Sequence, residues 1–384
     1  MNKIIIEKEK LLNNINIIKD IANNTPTENK PIIIAVLKGN AYGVSHKIMA
    51  DVLIQNGIDF FAVTDVYEAV KLRQLGYNCK ILVLNSTCIL EEIRIIVEND
   101  LIASCGSIDS IKFLDEEAKR QNKIANYHLN IDTGMHRFGI RAEELLRVKN
   151  ESSDREPLVE SLKRLLETLD NVKMTGIYTH FQQSYEKSQN RTREQFDLFI
   201  NVLNVLKNNG IEYGIAHCAN TSAFFKYPEM RLDAARIGSA FTGRCQPGIA
   251  KNLKKVGYLE SRICETRYLK AKDKVFYSGM YTCKKDMKVG IVEAGYFEGF
   301  DTIGPKDKFK FSNKLRTLKY VLLDFFRDTN NYVAVNGKRA KVLGRIGMKN
   351  FVIDLSNIDA EVNDAVRIDV GITLCNSEVP RELL

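Results

Sequence analysis

The chain has no tryptophan, seven prolines and five histidines in 384 residues, and none of its eight cysteines forms a CxxC pair. Scattered cysteines of this kind do not make a disulfide framework, and they imply reduced thiols in a cytoplasmic protein. No stretch reaches the roughly 20 apolar residues of a membrane span. Residues 1–10 mix isoleucine with lysine and glutamate where a signal peptide would be apolar. Neither a membrane protein nor an exported one is expected, and no metal site is expected. The net charge is +8, and six basic residues fall within 306–319. No nucleic-acid-binding motif accompanies that segment, so it reads as a solvated face. What the chain does have is 45% hydrophobic and 27% charged residues over a length that suggests two domains with a sizeable core.

The most informative stretch is 31–43, PIIIAVLKGNAYG. Seven apolar residues, rich in β-branched types, read as a strand of a parallel sheet buried on both faces. Lys38 ends it. An ammonium there must find a partner, titrate or react. The strand alone leaves two readings open, a lysine that snorkels outward and a reactive amine.

The pattern then repeats. Apolar runs at 59–63, 80–84, 101–104, 127–131, 173–178, 213–218 and 234–237 mostly alternate with helical periodicity, as over 67–75, 90–97, 108–119, 142–149, 159–169 and 191–208. Counted from residue 31 these are eight strand-like runs. An open doubly wound sheet also alternates, but eight is the number that closes a (β/α)8 TIM-type barrel. After 245 the character changes to short alternating runs, at 258–268, 274–277, 288–293, 332–335 and 351–355, with a hairpin signal at Asn336-Gly337. The expected architecture is therefore α/β: a barrel over 1–245, then a mainly β domain over 246–384. A helical insertion near 303–330 is expected from the amphipathic stretch 313–326.

Barrel active sites lie at the carboxyl ends of the strands. The residues there are Lys38; Asn130, Asp132 and Arg137; Thr179 and His180; His217, Asn220 and Thr221; and Arg236 and Gly238. A lysine, two arginines and two histidines at one mouth suit an anionic ligand such as a phosphate. Glycine and hydroxyl groups near Thr221 and Gly238 allow backbone N–H groups to approach it. A strand-end lysine beside a phosphate site suggests an imine with pyridoxal 5′-phosphate (PLP).

Here the sequence resembles a known family. AVLKGNAYG is similar to the cofactor-lysine motif of alanine racemases. DTGMHRFG (132–139), GIYTHF (176–181), HCANT (217–221) and RIGSAFTG (236–243) resemble later motifs of that family. So do AGYFEGF (294–300) and NGKRAKVLGRIGM (336–348) in the second half. The likeness spans nearly the whole chain, in order. It implies a PLP-binding barrel, a β domain and racemisation of a free amino acid, L-/D-alanine foremost, by a homodimer. By resemblance Lys38 holds PLP and serves as one acid/base, and Tyr296 of the partner subunit is the other. Tyr42, Thr221 and backbone at Gly238 and Ser239 would hold the phosphate, with Asn220 also beside the cofactor. Arg236 would face the pyridine nitrogen, and Arg137 the cofactor phenolate and the substrate carboxylate. Met348 would offer its N–H to that carboxylate. His180 would belong to the hydrogen-bond network behind Tyr296.

The sequence departs from the family at four places. Lys349 follows Met348 where an acid is usual, which points toward an acidic or otherwise non-alanine side chain. Ser377 replaces a tyrosine, Asn130 replaces a modifiable lysine, and 302–331 is longer than usual. A racemase for serine or another amino acid, a PLP-binding regulatory protein and a barrel decarboxylase are the alternatives.

Overall fold

The structure, a computed structural model, describes residues 2–26, 30–147, 156–186, 188–246, 248–302, 314–315, 317–319, 322 and 331–384. The expected helix over 313–326 lies largely outside the described residues. The chain divides into two compact units, Glu9–Lys255 and Met1–Lys8 with Val256–Leu384.

In the first unit all eight apolar runs are parallel strands: β1 (Ile32–Val36), β2 (Phe60–Val63), β3 (Lys80–Val83), β4 (Ala103–Cys105), β5 (Ala125–Asp132), β6 (Val172–Thr179), β7 (Ile215–Asn220) and β8 (Ala234–Ile237). The hydrogen-bonded order runs from β3 through β2, β1, β8, β7, β6 and β5 to β4. A bridge between Leu82 and Ile102 closes the ring between β3 and β4. Side chains alternate along a strand, so alternate residues share a face. Ile34, Val36, Phe60, Ala62, Leu82, Ile102 and Ala234 meet as one cluster inside the barrel. Each isoleucine, valine, leucine or phenylalanine among them contributes about 1.5–3 kcal/mol by leaving water. Ile32, the first residue of β1, is 44% exposed, so the strand is fully buried only toward its lysine end.

The helices fall where periodicity puts them, for example Ile108–Arg120 and Asn190–Asn208. The helical reading of 142–149 shortens to Ala142–Leu145, and residues 148–150 lie outside the described residues.

The second unit is a β structure. β9 (Gly257–Leu269) is 13 residues long and serves two partners. Residues 259–262 pair with β14 (Ala365–Ile368), and residues 263–269 pair with β10 (Met287–Val292). The circuit runs on through β13 (Phe351–Asp354), β12 (Lys338–Leu343) and β11 (Tyr332–Val335) back to β14, so this sheet also closes. Asn336 and Gly337 join β11 to β12, both at positive φ (48° and 75°), as a two-residue hairpin turn requires. The N-terminal strand Lys3–Ile6 pairs with β9 and with β15 (Arg381–Leu383).

Candidate active site

One cavity of about 280 Å³ opens at the carboxyl ends of the barrel strands. Lys38, Tyr42, Asn130, Arg137, His180, Asn220, Thr221, Arg236, Gly238 and Ser239 all line it. Every barrel residue expected at the cofactor is therefore at one mouth.

Lys38 opens a turn, Lys38–Tyr42, that is left-handed. Gly39, Asn40, Ala41 and Tyr42 have φ of 63°, 52°, 54° and 56°. A left-handed residue other than glycine costs about 1–2 kcal/mol, so this conformation must be held from outside. Ala41 N–H donates to Leu37 O, and Gly43 N–H to Gly39 O. The His46 ring lies 3.0 Å from Leu37 O. The turn directs both Lys38 and Tyr42 into the cavity. Burial and the Arg137 guanidinium lower the lysine pKa, opposed by Glu68. Burial pushes the Tyr42 phenol up to about 12, so it stays a donor.

Opposite this turn, Asn220 caps the helix Thr221–Lys226 by accepting from Ala223 N–H, and it also accepts from Ser184 Oγ. Thr221 Oγ1 accepts from Gly238 N–H at 3.2 Å. A Cβ at Gly238 would overlap the Tyr42 ring, so glycine is what lets phenol, hydroxyl and backbone N–H gather at one spot.

Arg236 is the cation at the floor. It is buried, with Nη1 at 2.6 Å from His217 Nδ1 and Nη2 at 2.7 Å from Thr179 O. His217 Nε2 lies 2.9 Å from His128 Nδ1. A guanidinium only donates, so His217 Nδ1 must accept. His217 then carries its proton on Nε2 and donates to His128. Burial, then Arg236, holds all three nearby imidazoles neutral: His128 and His180 fall to about 3, and His217 falls well below its ordinary value. Tyr178 stacks on His217 at 5.1 Å and lies 4.9 Å from the guanidinium of Arg236. Asp132 accepts from Gly134 and His136 N–H and pairs with the His136 ring. It thus shapes the loop that carries Arg137.

Three residues of this arrangement were missed in the sequence: His128, Tyr178 and Glu68. His128 shares the face of Asn130 by strand alternation, which was the available signal.

Tyr296 and Met348 lie in the second unit and come together there. Tyr296 N–H donates to Gly347 O, and Phe297 N–H to Met348 O. Both side chains are exposed, Tyr296 at 49% and Met348 at 54%. The turn is fixed by Glu298, only 2% exposed, which accepts from Gly295 N–H at 2.8 Å. The other oxygen of Glu298 accepts from Lys349 Nζ at 2.6 Å. That ammonium also lies 3.8 Å from the Phe297 ring centre. The charge of Lys349 is thus paired within its own unit.

The sequence matches the alanine racemase N-terminal domain over residues 6–246 and the alanine racemase C-terminal domain over residues 256–378. The chain belongs to the alanine racemase family. The alanine racemase of Methanococcus maripaludis is 30% identical over 368 residues, 94% of this chain and 87% of that one. That of Desulforamulus reducens is 29% identical, over 90% and 85%. The fold matches the alanine racemase of Clostridium difficile 630 with a TM-score of 0.83 at 23% identity, covering 100% of this chain and 95% of that one.

The chain is thus an amino-acid racemase of a PLP-dependent family. The cavity's lining fits that cofactor: a phenol and a hydroxyl gather at Gly238 where a phosphate needs donors, and a lysine stands at the same mouth.

Proposed function

We propose that this protein interconverts L- and D-alanine in the cytoplasm as a homodimer, using Lys38 and the partner subunit's Tyr296 as paired acid and base. The observation that carries this is Lys38 on its left-handed turn, sharing one cationic cavity with the Tyr42–Thr221–Gly238 donors. The curated relatives named alanine racemase support the substrate.

PLP, when bound, supplies the electron sink that acidifies the Cα–H bond of an attached amino acid. The chain supplies the rest. Tyr42, Thr221, Gly238 and Ser239 hold the phosphate, with Asn220 fixing the helix that begins at Thr221. Arg137 and the Met348 N–H orient the substrate carboxylate. Lys38 Nζ takes the proton from one face of Cα and Tyr296 Oη returns one to the other, since a single base does not reach both faces. Lysine and tyrosine titrate near 10.4 and 10 in water. The lowered pKa of Lys38 puts more of it in the free-amine form near neutrality. Arg236 donates a hydrogen bond while keeping its own proton, which limits electron withdrawal and so curbs transamination. His180 stays neutral and serves as a hydrogen-bonding group.

Chiral chromatography tests the reading. Purified protein given L-alanine or D-alanine should converge on equal amounts of each, and no turnover on any of a panel of amino acids overturns it. Mixing Lys38→Ala with Tyr296→Phe tests the shared site. If each site takes one residue from each subunit, random heterodimers restore about a quarter of the activity. No restoration means that each site is built within one chain.

A further inference from the structure

Glu68 has no part in the motifs or in the proposed chemistry. It is the third residue of the helix Val66–Gln74, whose cap is Asp65, and Asp65 accepts from Tyr67 and Glu68 N–H at 3.0 Å each. A glutamate in that place ordinarily folds back to the cap residue's own N–H. Glu68 goes elsewhere. Its Oε2 accepts from Thr64 N–H at 3.3 Å and Thr64 Oγ1 at 3.0 Å. Its Oε1 accepts from Gly39 N–H at 2.6 Å and Asn40 N–H at 3.3 Å. The first N–H groups of a helical turn have no partner inside it. Here one carboxylate serves both, and they are the two that follow Lys38.

We propose that Glu68 is the positioning residue of Lys38: it clamps the left-handed turn to the end of β2 and so sets the lysine and Tyr42 in the cavity. The proposal deepens the reading of Lys38 as the cofactor lysine and rests on it. The His46 ring is 3.7 Å from Oε1 but is engaged by Leu37 O at 3.0 Å. Among the described residues no lysine or arginine pairs with Glu68, so its charge is spent on N–H and O–H donors. Both oxygens accept, which makes the carboxylate irreplaceable by an amide. In Glu68→Gln one side would set an NH2 group against a backbone N–H, donor against donor.

The holoenzymes of wild type, Glu68→Gln, Glu68→Asp and Glu68→Ala are compared by amide hydrogen exchange across 38–46 and 60–63 and by PLP retention on dialysis, read from visible absorbance. Expected for Glu68→Gln is about tenfold faster exchange at 39 and 40 with β2 unchanged, and PLP affinity lower by about tenfold, the scale of one lost charge-assisted bond. Glu68→Asp, charged but one carbon shorter, should fall between. Exchange and PLP affinity of Glu68→Gln within about twofold of wild type would overturn the proposal and leave Glu68 as an ordinary residue of its helix. If Glu68→Ala loses protection throughout the barrel, the decision rests on Glu68→Gln, which keeps the side-chain volume. A wild type that holds no PLP overturns the reading of Lys38 instead, while the exchange contrast still decides the clamp.

Discussion

Each unit carries one of the two proposed acid/base residues on a turn, and each turn is tied by a single glutamate. In the barrel Glu68 accepts from Gly39 and Asn40 beside Lys38. In the β unit Glu298 accepts from Gly295 beside Tyr296. The difference lies in what balances the charge. Glu298 is met by Lys349 at 2.6 Å, whereas Glu68 is met by peptide and hydroxyl donors. The field of Glu68 therefore reaches the groups it positions: it opposes the lowering of the Lys38 pKa by burial and Arg137, and it adds to the raising of the Tyr42 pKa by burial. A carboxylate in contact with an ammonium has little field left at a distance. The barrel turn combines positioning with electrostatics, and the β turn positions alone.

The largest expected effect separates the two acid/base residues. Lys38→Ala should abolish visible absorbance and cut racemisation by more than about 10³-fold, because attachment and proton transfer go together. Tyr296→Phe should keep the absorbance and lose about 10²–10⁴-fold. Its substrate-deuterium isotope effect should rise for one enantiomer more than for the other. Equal effects in both directions would remove Tyr296 as a face-specific base. Next comes Gly238→Ala, whose methyl group meets the Tyr42 ring. PLP affinity should fall by about tenfold or more as one phosphate donor is displaced, and unchanged binding would place the phosphate elsewhere.

Acid sharpens the contrast further, because all five histidines lie in 46–217 and the β unit has none. The pKa of His128 is depressed to about 3 by burial and Arg236. The unfolded chain takes up that proton first, near 6.5. The stability it contributes is whole above about 6.5 and is lost as pH falls toward 3, by up to about 1.4 kcal/mol per pH unit. Hydrogen exchange at pH 5 against pH 7 should show barrel strands losing protection before β9 or β10, and the reverse order would contradict it. The smallest effect is that of Lys349→Met. The ammonium is half exposed, so its pair contributes about 0–1 kcal/mol to stability. Activity on acidic amino acids should not change, and a change would return Lys349 to a role in specificity.

The parts of the molecule legible in sequence were those written in short-range pattern. Eight apolar runs mark eight strands, and polar residues ending them mark one mouth. Asn336-Gly337 marks its hairpin because that turn needs two residues at positive φ. What escaped depends on partners far apart in the chain. Asp65 and Glu68 have only the spacing of a helix start, and nothing nearby says that Glu68 reaches a turn 29 residues back. Lys349 read alone is a charge inversion beside the site. Only the fold brings it to Glu298, 51 residues earlier. Likewise Ala41 and Tyr42 carry no local sign of a left-handed backbone, which such residues adopt only when something else holds it.

The file of rings beneath Arg236 has one more consequence. A chain of imidazoles can conduct protons when each ring can receive on one nitrogen and release from the other. Here the first link is a guanidinium, which has no lone pair to receive with and keeps its proton at any ordinary pH. It fixes the direction of every N–H behind it, from Arg236 to His217 to His128. The file is therefore an insulator. A proton taken up at the mouth is not passed from Arg236 through His217 to His128.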